Sequence, residues 1–147
     1  METMLLVHVA ATWFMVGLIW FIQLVHYPLF HRVGTEQWGA YAAAHTRRTT
    51  WVVGPAMALE TITGTLLLRY RPSGVPQPAI WAGLGLLLVI WVSTAFVQVP
   101  RHRLLAGGFD RDVWQTLVAT NWPRTVAWSA RGLLVLGMLA RVVDVSP

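Results

Sequence analysis

Apolar residues gather into four long blocks along this chain, at about Met4 to Phe30, Trp51 to Leu68, Ala79 to Val99 and Pro123 to Ala140. Each block is close to the roughly 20 residues that an α-helix needs to cross the hydrocarbon layer of a bilayer. Backbone in lipid must satisfy its own hydrogen bonds, so helices are the expected form. Proline and glycine punctuate the same pattern. Pro28 closes the first helix, the stretch from Arg71 to Gly74 makes a turn, and Pro78 opens the third helix. Pro100 ends that helix unless Arg101 to Leu105 continue it as a kinked turn. Pro123 belongs near the first turn of the fourth helix, where a missing N–H costs little. Pro55 either kinks the second helix or delays its start.

Between the first two blocks, Thr35 to Thr50 places Trp38, Tyr41 and His45 at spacings of three and four behind an N-cap candidate, Thr35. That pattern predicts a short interfacial helix or an extension of the second span. The expected architecture is therefore all-α: an integral membrane four-helix bundle, one domain over residues 1–147, with a short interfacial helix between helices one and two.

Composition sharpens this picture. The chain has 147 residues, 56% hydrophobic and only 12% charged, whereas soluble domains carry about a quarter charged residues. The net charge of +5 comes from arginines spread through short loops, which suits membrane orientation and not a phosphate-binding face, so no nucleic-acid partner is expected. Lysine is absent, which removes Schiff-base chemistry. Cysteine is absent, which removes disulfides, thiolate metal sites and thiol nucleophiles. The N-terminus carries Glu2 and no basic residue, and the first apolar block is too long for a signal-peptide core, so it is expected to be a retained span.

Ionisable residues inside a membrane need a partner or a task. Glu60 and Arg131 each lie nine residues beyond a span-end tryptophan, Trp51 and Trp122, which puts both at a depth of about 13 Å from the same side. An ion pair between helices two and four follows, either as a clip that fixes register or as part of a working site. Asn121, Arg124, Trp128 and Arg131 fall on one stripe of helix four. Two arginines there exceed what Glu60 neutralises, which points to an anionic partner such as a lipid phosphate, a substrate carboxylate or a cofactor propionate. Helix three adds Thr94, Gln98 and His102 on one face, and helix one adds Gln23 and His26. His8 shares a face with His26 but stands roughly 27 Å away, too far for one metal. Of the nine tryptophans, Trp51, Trp81 and Trp122 fit an aromatic belt, while Trp13, Trp20, Trp91 and Trp128 lie inside spans.

The candidate catalytic groups are His26, Glu60, His102, Asn121, Arg124 and Arg131, with Gln23, Gln98 and Trp128 as candidate cofactor-binding groups. His26, His45 and His102 are the candidate metal ligands, since neutral imidazole suits iron, copper and zinc.

The segment Gln98 to Gly132 carries V-P-x-H-x-x-L-x-x-G and then N-W-x-R-T-x-x-W-x-x-R. Together with Tyr41, His45, Arg48, Pro55, Met57 and Glu60 it resembles a family of small bacterial integral membrane proteins without assigned function. More loosely it is similar to the anthrone-oxygenase-like membrane family, which has a four-helix plan and an Asn-x-x-Arg near helix four, matched here by Asn121 and Arg124. That resemblance implies oxidation of a lipophilic aromatic compound in a bacterial inner membrane. The opening stretch from Leu6 to Trp20 also resembles the first helix of the four-helix membrane protoporphyrinogen oxidases, with His8 and Trp13 at matching positions. This second resemblance implies haem ligation by His8, although the later motifs of those enzymes are absent.

Two function classes lead, beside a third reading as an assembly factor or scaffold with neither activity. One is a small membrane oxidoreductase or oxygenase acting on a lipophilic aromatic or quinone-like substrate at the cytoplasmic half of the bundle, holding haem, a transition metal or no cofactor. The other is a non-enzymatic binding or transport module for a lipid headgroup, a metal ion or a small anion. Transport through so few helices would call for a homo-oligomer. Orientation follows from arginine counts. Arg32, Arg47 and Arg48 lie in the first connection and Arg101, Arg103, Arg111 and Arg124 in or beside the third, against Arg69, Arg71 and Arg141 on the other side. The first and third connections are thus expected in the cytoplasm and both termini outside. A C-terminal phosphatase fusion should be active and a C-terminal fluorescent fusion dark; the reverse pattern would invert the topology.

Overall fold

The computed structural model describes residues 2–145. Helix α1, Glu2–Phe21, runs into one wide π-turn at Ile22–His26 and a 3-10 turn at Pro28–Arg32. Helix α2 is Thr35–Arg69, and α3 is Gln77–Ser93 with a second π-turn at Thr94–Gln98. It passes directly into α4, Val99–Ala106, and α5 is Arg111–Val145. These segments make four rods, Glu2–Arg32, Thr35–Arg69, Gln77–Ala106 and Arg111–Asp144, each long and apolar enough to cross a membrane. No strand occurs among the described residues. The all-α four-helix reading holds.

The helices run further than the apolar blocks. Of the two forms expected for Thr35–Thr50, the extension of the second span is present and the separate interfacial helix is not: α2 is continuous for 35 residues, with Pro55 inside it. Pro123 likewise sits in the interior of α5, and Pro100 lies in the first turn of α4 and does not end the third rod. Each proline removes one backbone hydrogen bond, a defect that packed membrane helices tolerate because neighbours support the backbone. Helix α5 starts behind Asp110, whose side chain accepts the Val113 N–H at 2.9 Å as an N-cap does.

Polarity along the bundle is layered. An apolar cluster of Leu5, Leu67, Val75, Ile80, Met138 and Val142 closes the end that carries both termini. A second, with Met15, Ile19, Met57, Ile90 and Trp128, fills the middle. An aromatic cluster of Tyr27, Phe30, Trp38 and Leu105 closes the other end, where Trp38 donates to the Leu105 carbonyl at 2.6 Å. Between these clusters lie the buried polar side chains. Large apolar groups such as Trp51, Phe96 and Leu133 face outward instead, as expected when the surroundings are lipid. Trp13, Trp20 and Trp91 are partly exposed in the same way, whereas Trp128 is fully buried.

The α1–α5 contact is close because Gly132 has no side chain. A Cβ there would stand 3.0 Å from Val16 Cγ2 and 3.4 Å from the Trp13 ring. Gly85 and Gly137, by contrast, face open space. Gly132→Leu should therefore destabilise the bundle by about 1–3 kcal/mol, while Gly137→Leu should leave it unchanged. Thermal unfolding of both variants in detergent checks this, and equal midpoints would contradict the close approach.

Candidate functional site

Two buried polar layers sit at different depths. In the layer nearer the termini, Arg131 Nη2 lies 3.3 Å from Glu60 Oε1, and Trp128 Nε1 donates to Glu60 Oε2 at 3.1 Å. Arg131 Nη1 donates to the Gly83 carbonyl. The Thr63 hydroxyl donates to the Leu59 carbonyl, so its oxygen accepts from His8 Nδ1, 2.7 Å away. That fixes His8 with its proton on Nδ1 and leaves Nε2 as an acceptor facing Arg131 Nη2 at 3.5 Å. The expected Glu60–Arg131 pair is thus present, with both members almost wholly buried. His8 and Thr63 complete it.

This layer is closed. The space beside His8, Gly64, Gly83 and Arg131 amounts to about 10 Å³, room for a single water. A Cβ on Gly64 would come within 3.1 Å of His8 Cε1. A porphyrin does not fit there, and both His8 nitrogens are engaged, so the haem ligation implied for His8 is not supported by these residues.

The second layer lies nearer the first and third connections. The two π-turns shape it, each widening a helix by one residue and carrying one buried glutamine, Gln23 and Gln98. Such bulges are frequent at functional sites. Gln23 Oε1 accepts from Asn121 Nδ2 at 2.8 Å and from the Thr125 hydroxyl at 3.3 Å, while Gln98 Nε2 donates to Thr120 at 3.3 Å. Arg124 Nη1 donates to Asn121 Oδ1 at 2.9 Å, and its guanidinium packs over the Trp128 ring at 5.2 Å. Arg124 is 6% exposed and forms no ion pair among the described residues. Its Nε and Gln98 Oε1 also lack hydrogen-bond partners. A buried cation therefore stands without a counter-anion.

Above Arg124 the site turns aromatic. The Tyr27 hydroxyl stands near enough to the Arg124 guanidinium to interact with it electrostatically and lies 2.9 Å from His102 Nε2. His45 packs against His102 with ring centroids 5.2 Å apart, and His45 Nδ1 stands 2.9 Å from His26 Nε2. All three imidazoles are half-buried, so this end of the network reaches the surface of the bundle.

His26, His45 and His102 do come together, with one ring nitrogen of each engaged: His26 Nε2 faces His45 Nδ1, and His102 Nε2 faces the Tyr27 hydroxyl. No group of three or more His, Asp or Glu among the described residues is arranged to hold a metal ion. Arg124, Asn121, Gln23, His26, His45 and His102 all meet in the second layer, whereas Glu60 and Arg131 belong to the first and Trp128 bridges the two. Tyr27 is the residue that sequence reasoning missed. Its signal is modest: a tyrosine between His26 and Pro28 at the end of an apolar block.

No protein-family model, curated protein or solved structure matches this chain.

Because Glu60 balances Arg131 in a dry layer, Glu60→Gln should cost about 3–5 kcal/mol by leaving a buried guanidinium unpaired. Glu60→Gln combined with Arg131→Gln should recover most of that loss. Unfolding of the single and double variants in detergent measures it, and a double variant no better than the single would show that the charges are not coupled.

Proposed function

We propose that the chain is a small oxidoreductase of a bacterial inner membrane, with both termini outside the cytoplasm, acting on a lipophilic hydroxyaromatic compound of quinol or anthrone type. The observation that carries this reading is the unbalanced Arg124 cation close to Tyr27, whose hydroxyl contacts a half-buried cluster of imidazoles. A cation held in low dielectric favours a nearby hydroxyl that ionises, and a neutral imidazole accepts the proton released. Oxidation of a quinol to a quinone releases two electrons and two protons, with dioxygen as a fitting acceptor. The substrate ring would meet the site from the lipid side of His26 and His102. Asn121 and Gln23 hold Arg124 in place, and Gln98 Oε1 is a spare acceptor beside them. On this reading Glu60 and Arg131 are a structural clip, since both Glu60 oxygens are engaged and the space next to the pair holds one water.

A non-enzymatic binder for a small anion is the second reading, favoured by the same Arg124 without a counter-charge. The protein purified in mild detergent and given anthrone or a naphthoquinol under air should consume dioxygen with saturable kinetics. Arg124→Gln and His102→Gln should each lower kcat/KM by about 100-fold or more, with Gly137→Leu as an unaffected control. Binding of the quinol or a phenolate without turnover would replace the enzyme reading with the binder, and neither binding nor turnover would end both. An absorption spectrum with elemental analysis of the same preparation reports any haem or metal that the histidines hold.

A further inference from the structure

The terminus-bearing end of the bundle carries a cleft remote from both polar layers. It is an open depression of about 520 Å³ between the turn from Arg71 to Pro76 and Arg141 near the end of α5. The turn is built to hold its shape. Gly74 adopts φ 86°, a conformation natural only to glycine, and Val75, 2% exposed, plugs into the apolar cluster of Leu67, Ile80, Met138 and Val142. Arg71 Nη1 donates to the Val75 carbonyl at 3.2 Å, which folds its guanidinium back over the turn. Among the described residues no carboxylate lines the cleft, and neither arginine forms an ion pair.

Two guanidiniums facing one open cleft select an oxyanion with several acceptor oxygens, and Arg matches phosphate geometry better than any other side chain. The position selects its source. The cleft lies where α2 and α5 end and α3 begins, at the ends of rods apolar enough to cross a bilayer, where phospholipid headgroups would stand. Tyr70 and Trp81, each more than half exposed, flank the turn in the chain, as belt aromatics do at a membrane interface. We propose that this cleft binds the phosphate of an anionic phospholipid, with Arg71 and Arg141 as its paired ligands and Tyr70 and Trp81 against the glycerol and upper acyl region. This site is independent of the oxidoreductase reading.

The test uses the full chain in nanodiscs of phosphatidylcholine alone or mixed with phosphatidylglycerol, with retained lipid counted by native mass spectrometry after gentle extraction. Phosphatidylglycerol should be retained in preference to phosphatidylcholine. Arg71→Gln or Arg141→Gln should weaken that retention by roughly 5-fold, and the two together by roughly 30-fold, as expected from about 1 kcal/mol per basic residue at a charged surface. Arg103→Gln, an exposed arginine at the other end, should have no effect, and unchanged thermal midpoints of the variants exclude misfolding as the cause. Retention that ignores headgroup charge, or that falls equally with Arg103→Gln, would overturn the proposal. Displacement of the lipid by inorganic phosphate at comparable concentration would overturn the lipid source and leave a free-phosphate site.

Discussion

Charge inside an apolar bundle is the constraint on which the rest of this structure depends. Two guanidiniums and one carboxylate lie within four rods whose outer surfaces suit lipid, and none of the three can be left bare. The effective penalty for burying each ion is several kcal/mol, even after relaxation. Arg131 meets it with Glu60, the Gly83 carbonyl and His8. Those partners come from α2, α3 and α1, so one side chain on α5 ties all four rods together at a single depth. Attraction between apolar surfaces cannot do this in lipid, where tails are as apolar as leucine. A polar knot can, because its alternative is an unpaired charge.

Arg124 meets the same penalty differently. Its partners are neutral: Asn121, Tyr27 and the face of Trp128. Neutral dipoles solvate a cation without cancelling it, so a positive potential persists at this depth. That contrast separates the two arginines physically, although they share one stripe of α5 and equal standing in the sequence. The pair with a carboxylate is balanced and closed. The one with a phenol and imidazoles is unbalanced and leads to half-buried groups.

The spans, the buried stripe on α5 and the Glu60–Arg131 contact were legible because each follows from a period of 3.6 and from the cost of unpaired charge, both of which sequence carries directly. The unreadable parts have a common cause. A π-turn adds one residue to a helix and shifts every later side chain by about 100°, so residues beyond Ile22–His26 and Thr94–Gln98 leave the face that regular spacing assigns. Tyr27 lies directly beyond the first of these turns and meets His102 there. The lengths of α2 and α5 were hidden for another reason. Pro55 and Pro123 read as boundaries in a soluble helix, whereas packed neighbours let both stand in helix interiors. The joining of His8 to Thr63 and Arg131 depended on the relative rotation of three helices, which no local pattern encodes.

Trp128 decides how the two layers relate. Its indole N–H donates to Glu60 on one side and its ring lies under Arg124 on the other, so it is the only side chain described as touching both charges. An indole nitrogen donates one hydrogen bond and accepts none, so it cannot pass a proton from one layer to the next. Met15, Ile19, Met57 and Ile90 surround it with apolar contacts. The hydrogen-bonded network is therefore interrupted at mid-depth, and electrostatics, not proton transfer, is what connects the layers. A change in the Glu60–Arg131 pair would alter the potential at Arg124 through Trp128 without any shared proton. The closed layer then acts on the open one by holding α5, and with it Asn121 and Arg124, at a fixed rotation against the Gln23 turn of the first rod.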